Sequence, residues 1–238
     1  MKKYIGTKQI EAEPMTMGEA YERGFLQAGR VPNESEKSNA GYHVKYQDGY
    51  KSWSPAEPFE KAYKRADTFL DRLNIEHGEL MERFEKCAVF VDSKKFRETI
   101  KEDYPAFLLW LQRDIMGRYG AVLEQRMAIA KGETIITTLP RMSFGIAIEA
   151  LKFGFAIRRK GWNGKGMFVV KQIPAHITEE VIPKIQSLPQ SAKDIIMSRE
   201  NKVIDYTSQM LIINPDGRAD SWVPSVSDVF AEDWEIVK

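Results

Sequence analysis

A single cysteine, Cys87, occurs in 238 residues, so no disulfide can form within the chain and a reducing compartment is expected. No apolar run approaches the roughly 20 residues that a membrane-spanning helix needs. The three histidines, His43, His77 and His176, lie far apart and show no metal-ligand spacing. An excess of one charge is also missing. Against 35 Lys+Arg stand 34 Asp+Glu, and a net charge of +1 gives no global field that would draw the chain onto a nucleic-acid backbone or an anionic membrane. Any anionic ligand must therefore be caught locally. Neither a phosphate-cradling G-x-x-x-x-G-K-[ST] loop nor a G-x-S-x-G elbow occurs. The N-terminal stretch is positively charged but lacks the apolar run of a secretory signal, which makes the cytoplasm the expected location.

A hydrophobic content of 43% is enough for ordinary cores, and the patterning divides the chain into four stretches. Residues 1–58 are polar and punctuated by Gly24, Gly29 and Pro32. Alternating Tyr42, Val44 and Tyr46 followed by Asp48-Gly49 predict a β-hairpin there, hence a small β-rich element. In residues 59–131 the period becomes helical. Phe69, Leu73, His77, Leu80, Met81, Phe84, Cys87 and Val91 form one stripe, and Tyr104, Phe107, Leu108, Leu111, Ile115, Tyr119, Val122 and Leu123 a second. Asp92-Ser93 separates them, and the pair is expected to form an antiparallel helical hairpin that mediates self-association. Cys87 and His77 on the first stripe are read as core or interface residues.

Residues 132–141 read as a linker or short strand, and residues 142–238 as an α+β domain. Ser143 is placed to cap a helix bearing Phe144, Ala147, Ile148 and Leu151, and Gly154 to stop it. Two strands follow, joined by the glycine-rich loop Gly161 to Gly166. Next comes an excursion over Thr178 to Arg199, which Pro183 and Pro189 break into two short helical pieces. Strands are then expected at Tyr206 to Ile213, Ser221 to Val223 and Asp233 to Val237. The fold class is thus α+β, a small antiparallel sheet with one packed helix, preceded by the helical hairpin and the small β element.

Chemistry concentrates in this last stretch. Arg158, Arg159 and Lys160 precede Trp162-Asn163-Gly164-Lys165-Gly166-Met167, a loop that offers an indole face for base stacking, an amide for a base or ribose edge, and backbone N–H groups for phosphate. Equally, Trp162 can plug the end of the sheet while the glycines make a turn. Trp222 to Asp228 sets an indole, hydroxyls and a carboxylate on an irregular segment, where Asp228 can accept from ribose and Ser225 donate to phosphate. The alternative is that Ser225 or Ser227 caps a short turn and Asp228 faces water. Trp234 reads as core.

The combination Met142-Ser143-Phe144-Gly145, Ala150-Leu151-Lys152, Gly154, Arg158, Gly161 to Met167, Asp216-Gly217, Trp222 to Ser225, Asp228 and Ala231-Glu232-Asp233-Trp234 resembles a family of small phage proteins, the second of the named Thoeris anti-defence families. The resemblance covers about Met142 to Lys238. It implies a sponge that binds cyclic nucleotide signals from bacterial immune TIR enzymes, notably glycocyclic ADP-ribose and in some members cyclic dinucleotides, without degrading them. It further implies a homotetramer with ligand recesses between protomers, acting in the host cytoplasm without cofactor, metal, nucleic-acid polymer or membrane. Phe144, Arg158, Trp162, Asn163, Met167, Trp222, Ser225 and Asp228 are the residues that the resemblance and their chemistry place at a recess. Residues upstream, including Tyr4 to Lys8 and Gly49 to Pro55, resemble phage sequences of unknown role. Two other classes are carried beside the sponge: a structural or interaction protein of a phage particle, and a hydrolase of cyclic nucleotides built on scattered carboxylates such as Asp228 and Asp233.

Overall fold

The computed structural model describes residues 9–134, 139 and 141–237, which divide into two compact units between Glu76 and His77. Half of the expected linker over 132–141, and the motif Tyr4 to Lys8, lie outside the described residues.

In the first unit, β1 (Glu11–Pro14), β2 (Gly41–Lys45) and β3 (Lys51–Pro55) form an antiparallel sheet in that order, with helices α1 (Met17–Glu22) and α2 (Ala56–Ala62) beside it. The Asp48-Gly49 turn joins β2 and β3, with Gly49 at φ 84°. β1, α1 and α2 were not anticipated. Only α1 had left a plain signal, the Thr16-x-x-Glu19 capping box, whose two reciprocal hydrogen bonds both form.

α3 (Phe69–Val91), the short α4 (Lys95–Thr99) and α5 (Asp103–Ala130) follow. Within the second unit α3 and α5 run antiparallel. His77 meets Glu124 at 3.3 Å, and Cys87 Sγ donates to the Leu109 carbonyl at 3.8 Å. The seam, however, is not the one the large apolar residues of α5 suggest. α3 packs on the opposite face, made of Ala106, Gly117, Gly120 and Leu123, because small residues let the helices approach closely. A Cβ on Gly117 would stand 3.1 Å from the Phe84 ring, and one on Gly120 2.9 Å from Met81 Sδ. Of the predicted α5 stripe only Leu123 is fully buried.

The α+β domain begins with α6 (Phe144–Phe153), which ends at Gly154 in the left-handed conformation (φ 110°). Strands β4 (Ala156–Arg159), β5 (Phe168–Lys171), β8 (Met210–Ile213), β9 (Ala219–Ser221) and β10 (Trp234–Val237) make one antiparallel sheet in the order β10-β4-β5-β8-β9. The excursion carries its own two-stranded sheet, β6 (Ala175–Ile177) with β7 (Ile204–Tyr206), a 3-10 turn at Ile182–Lys184 and helix α7 (Gln190–Met197). The strand expected over Tyr206 to Ile213 is therefore two, since β7 pairs within the excursion and only β8 joins the main sheet. α8 (Val226–Val229) links β9 to β10.

Ile236, Ile157, Val169 and Ile212 occupy one cross-strand row, and α6 buries Ala147, Ala150 and Leu151 in the same core. β9 and β10 are consecutive in the chain yet sit at opposite edges of the sheet. Four strand spacings would separate them by about 19 Å if the sheet were flat. The rings of Trp222, just after β9, and Trp234, on β10, have centroids only 6.1 Å apart, so the sheet curls around the start of α6.

Candidate functional site

That curl gathers four aromatic rings. Trp162 lies edge-on to Trp222 at 6.0 Å and to Trp234 at 5.5 Å, and Phe144 on the first turn of α6 lies 6.3 Å from Trp222 and 5.3 Å from Trp234. Trp234 is 1% exposed and forms the floor. Phe144, Trp162 and Trp222 are half-buried, so each keeps part of its ring at the surface.

Asp228, 7% exposed, fixes this arrangement. Trp162 Nε1 and Arg159 Nη1 both donate to its Oδ1, at 3.1 and 3.0 Å. The Ser225 main-chain N–H and hydroxyl donate to its Oδ2, at 3.0 and 2.6 Å. Its main-chain carbonyl accepts from Trp234 Nε1 at 3.1 Å. Burial pushes the carboxyl up, but the hydrogen bonds from Ser225, Trp162 and Arg159 outweigh it and hold the group at about 2. Ser225 in turn caps α8, so the capping alternative holds for the serine while the carboxylate turns inward rather than to water.

Asp233 completes the network. It accepts from Arg159 Nε at 2.8 Å and from the Gly161 N–H at 2.8 Å. The Arg159 hydrogen bond is the main cause that holds its carboxyl below the usual range. A side chain at Gly161 would put its Cβ 2.8 Å from Asp233 Oδ2, which explains a glycine at the mouth of the tryptophan loop. The terminal Ala-Glu-Asp-Trp run is thus accounted for residue by residue. Ala231 and Trp234 are core, Glu232 accepts from Arg141 at 2.6 Å, and Asp233 holds Arg159.

Comparison with known proteins agrees with this motif set. A family model described as a Thoeris anti-defense 2-like domain matches residues 142–237, and one described as Sequestin matches residues 67–129. Thoeris anti-defense 2 of Bacillus phage SP01 is 34% identical over 99 residues, which span 41% of this chain and 96% of the relative. The chain belongs to the Thoeris anti-defense 2 family. The anti-defense 2-like model begins at residue 142, so the hairpin and the N-terminal unit lie outside it.

For this family member the structure brings Phe144, Trp162 and Trp222 together with Ser225 and Asp228. It does not bring Arg158 with them. Ile157 faces the core, so its neighbour Arg158 must face the other side of the sheet, where it donates to Glu235 at 3.1 Å. The cation on the aromatic side is Arg159, a residue that strand parity counted from Ile157 would have found. Asn163 is exposed on the loop, and Met167 closes the loop over Gly164. A cavity of about 230 Å³ beside α6, lined by Ile148, Leu151, Lys152, Lys171, Ser208, Gln209 and Met210, includes none of the predicted site residues. Among the described residues no helix is long and apolar enough to cross a membrane, and no three His, Cys, Asp or Glu side chains are grouped to hold a metal ion.

Proposed function

We propose that this phage anti-defence protein binds a cyclic nucleotide immune signal, glycocyclic ADP-ribose or a cyclic dinucleotide, and sequesters it without turnover in the cytoplasm of the host. The observation that carries the reading is the pair of half-buried indoles, Trp162 and Trp222, with centroids 6.0 Å apart and the first of them held by buried Asp228. Rigid aromatic faces are the material for base stacking, at about 1–3 kcal/mol per base. A nanomolar complex requires about 12 kcal/mol, so two stacked contacts need charge-assisted hydrogen bonds at about 1.5–3 kcal/mol each to reach it. Asn163 and Lys165 are the side-chain donors that follow Trp162 on its loop, whereas both donors of Ser225 are engaged by Asp228.

Val223, Val226 and Phe230 stand exposed around α8, next to Trp222 in the chain. An apolar rim of this kind suits a seam between protomers, and the proposal is a homo-oligomer, a tetramer by resemblance, whose copies enclose the ligand together. Sequestration fits the acid–base character of the cluster better than hydrolysis does. Asp228 sits at about 2 and Asp233 is also lowered, so both are anionic and engaged, whereas a general acid or base works best with a pKa near the operating pH.

The test is to titrate glycocyclic ADP-ribose, and separately a cyclic dinucleotide, into the full chain by calorimetry, then denature each complex and weigh the released ligand by mass spectrometry. Binding with intact ligand recovered is expected. Ligand that returns cleaved, or no binding of either signal class, overturns the reading.

A further inference from the structure

α5 has two apolar faces and α3 covers one of them. Ala106, Gly120, Leu123 and Met127 are buried on the α3 side. About 180° away, Tyr104, Leu108, Leu111, Ile115, Val122 and Ile129 recur at spacings of three, four and seven residues and make a straight stripe. Tyr104 is 70%, Leu108 45%, Ile115 56% and Ile129 53% exposed. The outer side of α3 is mostly charged instead, with Arg72, Glu79, Glu82, Arg83 and Lys86 around the strongly exposed apolar Val89. A hairpin with one polar back and one apolar back is built to be covered on the apolar side.

We propose that the outer face of α5 is a seam between two copies of this chain, with the helices antiparallel about a two-fold axis at Ile115. Two observations select a second copy as the occupant. The stripe is self-complementary about Ile115: position 108 meets 122 and position 111 meets 119, so every central pairing is apolar or aromatic. With Phe107 at its flank the stripe leaves roughly 700 Å² uncovered, close to the roughly 800 Å² per partner of a standard stable interface. This seam lies on the hairpin and does not depend on ligand binding by the α+β domain.

The test uses the full chain. Sedimentation or light scattering is expected to give an even multiple of the 27.3 kDa protomer, with or without cyclic nucleotide. The double variant Leu108→Glu/Ile115→Glu, at surface positions, is expected to halve that mass with the helical circular dichroism unchanged. A monomeric wild type, or a variant of undiminished mass, overturns the proposal. Should the double variant unfold, crosslinking decides. In a Cys87→Ser background, Ile115→Cys is expected to form a disulfide dimer on mild oxidation while Lys86→Cys on the polar back of α3 does not. No dimer from Ile115→Cys, or equal dimer from both, overturns the seam. Failure of cyclic-nucleotide binding leaves these masses unaffected, so the two readings fail separately.

Discussion

Trp162 and Trp234 hang on the same residue: the first indole donates to the Asp228 carboxylate and the second to the Asp228 main-chain carbonyl, each at 3.1 Å. One buried aspartate therefore orients both a half-buried ring of the cluster and its floor. Removing the carboxylate leaves the Trp162 N–H without its acceptor and takes one of the two carboxylates from Arg159, which keeps Asp233 and the Ser227 carbonyl. Asp228→Ala is expected to destabilise the α+β domain by about 2–3 kcal/mol, read as a lowered midpoint in urea. It also frees the Trp162 ring, so ligand affinity should fall even at temperatures where the variant remains folded.

The same carboxylate predicts a pH dependence. Its folded pKa is about 2 against a usual 3.8, so ionised Asp228 contributes about 2 kcal/mol at neutral pH. Because the folded value is the lower one, that contribution is fully present above about 4 and is lost as pH falls toward 2. Urea unfolding at pH 5 and at pH 2.5 should show the wild type losing more stability than Asp228→Asn over that interval. Equal losses would mean that the carboxylate is not held in its ionised form.

Arg158 and Arg159 are neighbours in sequence with different tasks. Arg159 bridges Asp228 and Asp233, whereas Arg158 makes one exposed pair with Glu235. Arg159→Gln is expected to cost about 1–3 kcal/mol of stability, and Arg158→Gln less than about 0.5 kcal/mol. Thermal denaturation of the two variants in parallel checks the contrast, and equal effects would contradict it.

Trp222 supplies a ring but no hydrogen bond to Asp228, so it tests stacking with less disturbance of the network than Trp162 does. Trp222→Leu is expected to weaken binding of glycocyclic ADP-ribose by about 1–3 kcal/mol, roughly 5- to 150-fold, by calorimetry. Unchanged affinity would place the ligand elsewhere.

At the hairpin, a Cβ on Gly120 would stand 2.9 Å from Met81 Sδ, so a small side chain needs Met81 to move and a large one needs the helix to move. Gly120→Leu is expected to separate α3 from α5 and to cost about 1–3 kcal/mol, seen as an earlier loss of helical circular dichroism on heating. Gly78, which has open space around it, should accept alanine without such a loss.

Much of this chain was legible before any coordinates. Apolar periodicity marked α3 and α5, Asp48-Gly49 and Asp216-Gly217 marked turns, Gly154 marked a helix end, and the Trp-Asn-Gly-Lys-Gly-Met and Ala-Glu-Asp-Trp runs pointed to the family. These are local properties, set by the backbone preferences of a few adjacent residues. What the sequence left open was which partner each face meets. α5 carries two apolar faces, and only packing showed that α3 takes the glycine side and leaves the large residues outside. Asp228 had two readings until the inward turn of α8 buried it beneath Trp162. The aromatic cluster joins rings from opposite edges of a five-stranded sheet, 12 residues apart in the case of Trp222 and Trp234. Periodicity along one strand or helix carries no record of how far a sheet curls, because that curvature is settled by the side chains packed inside it.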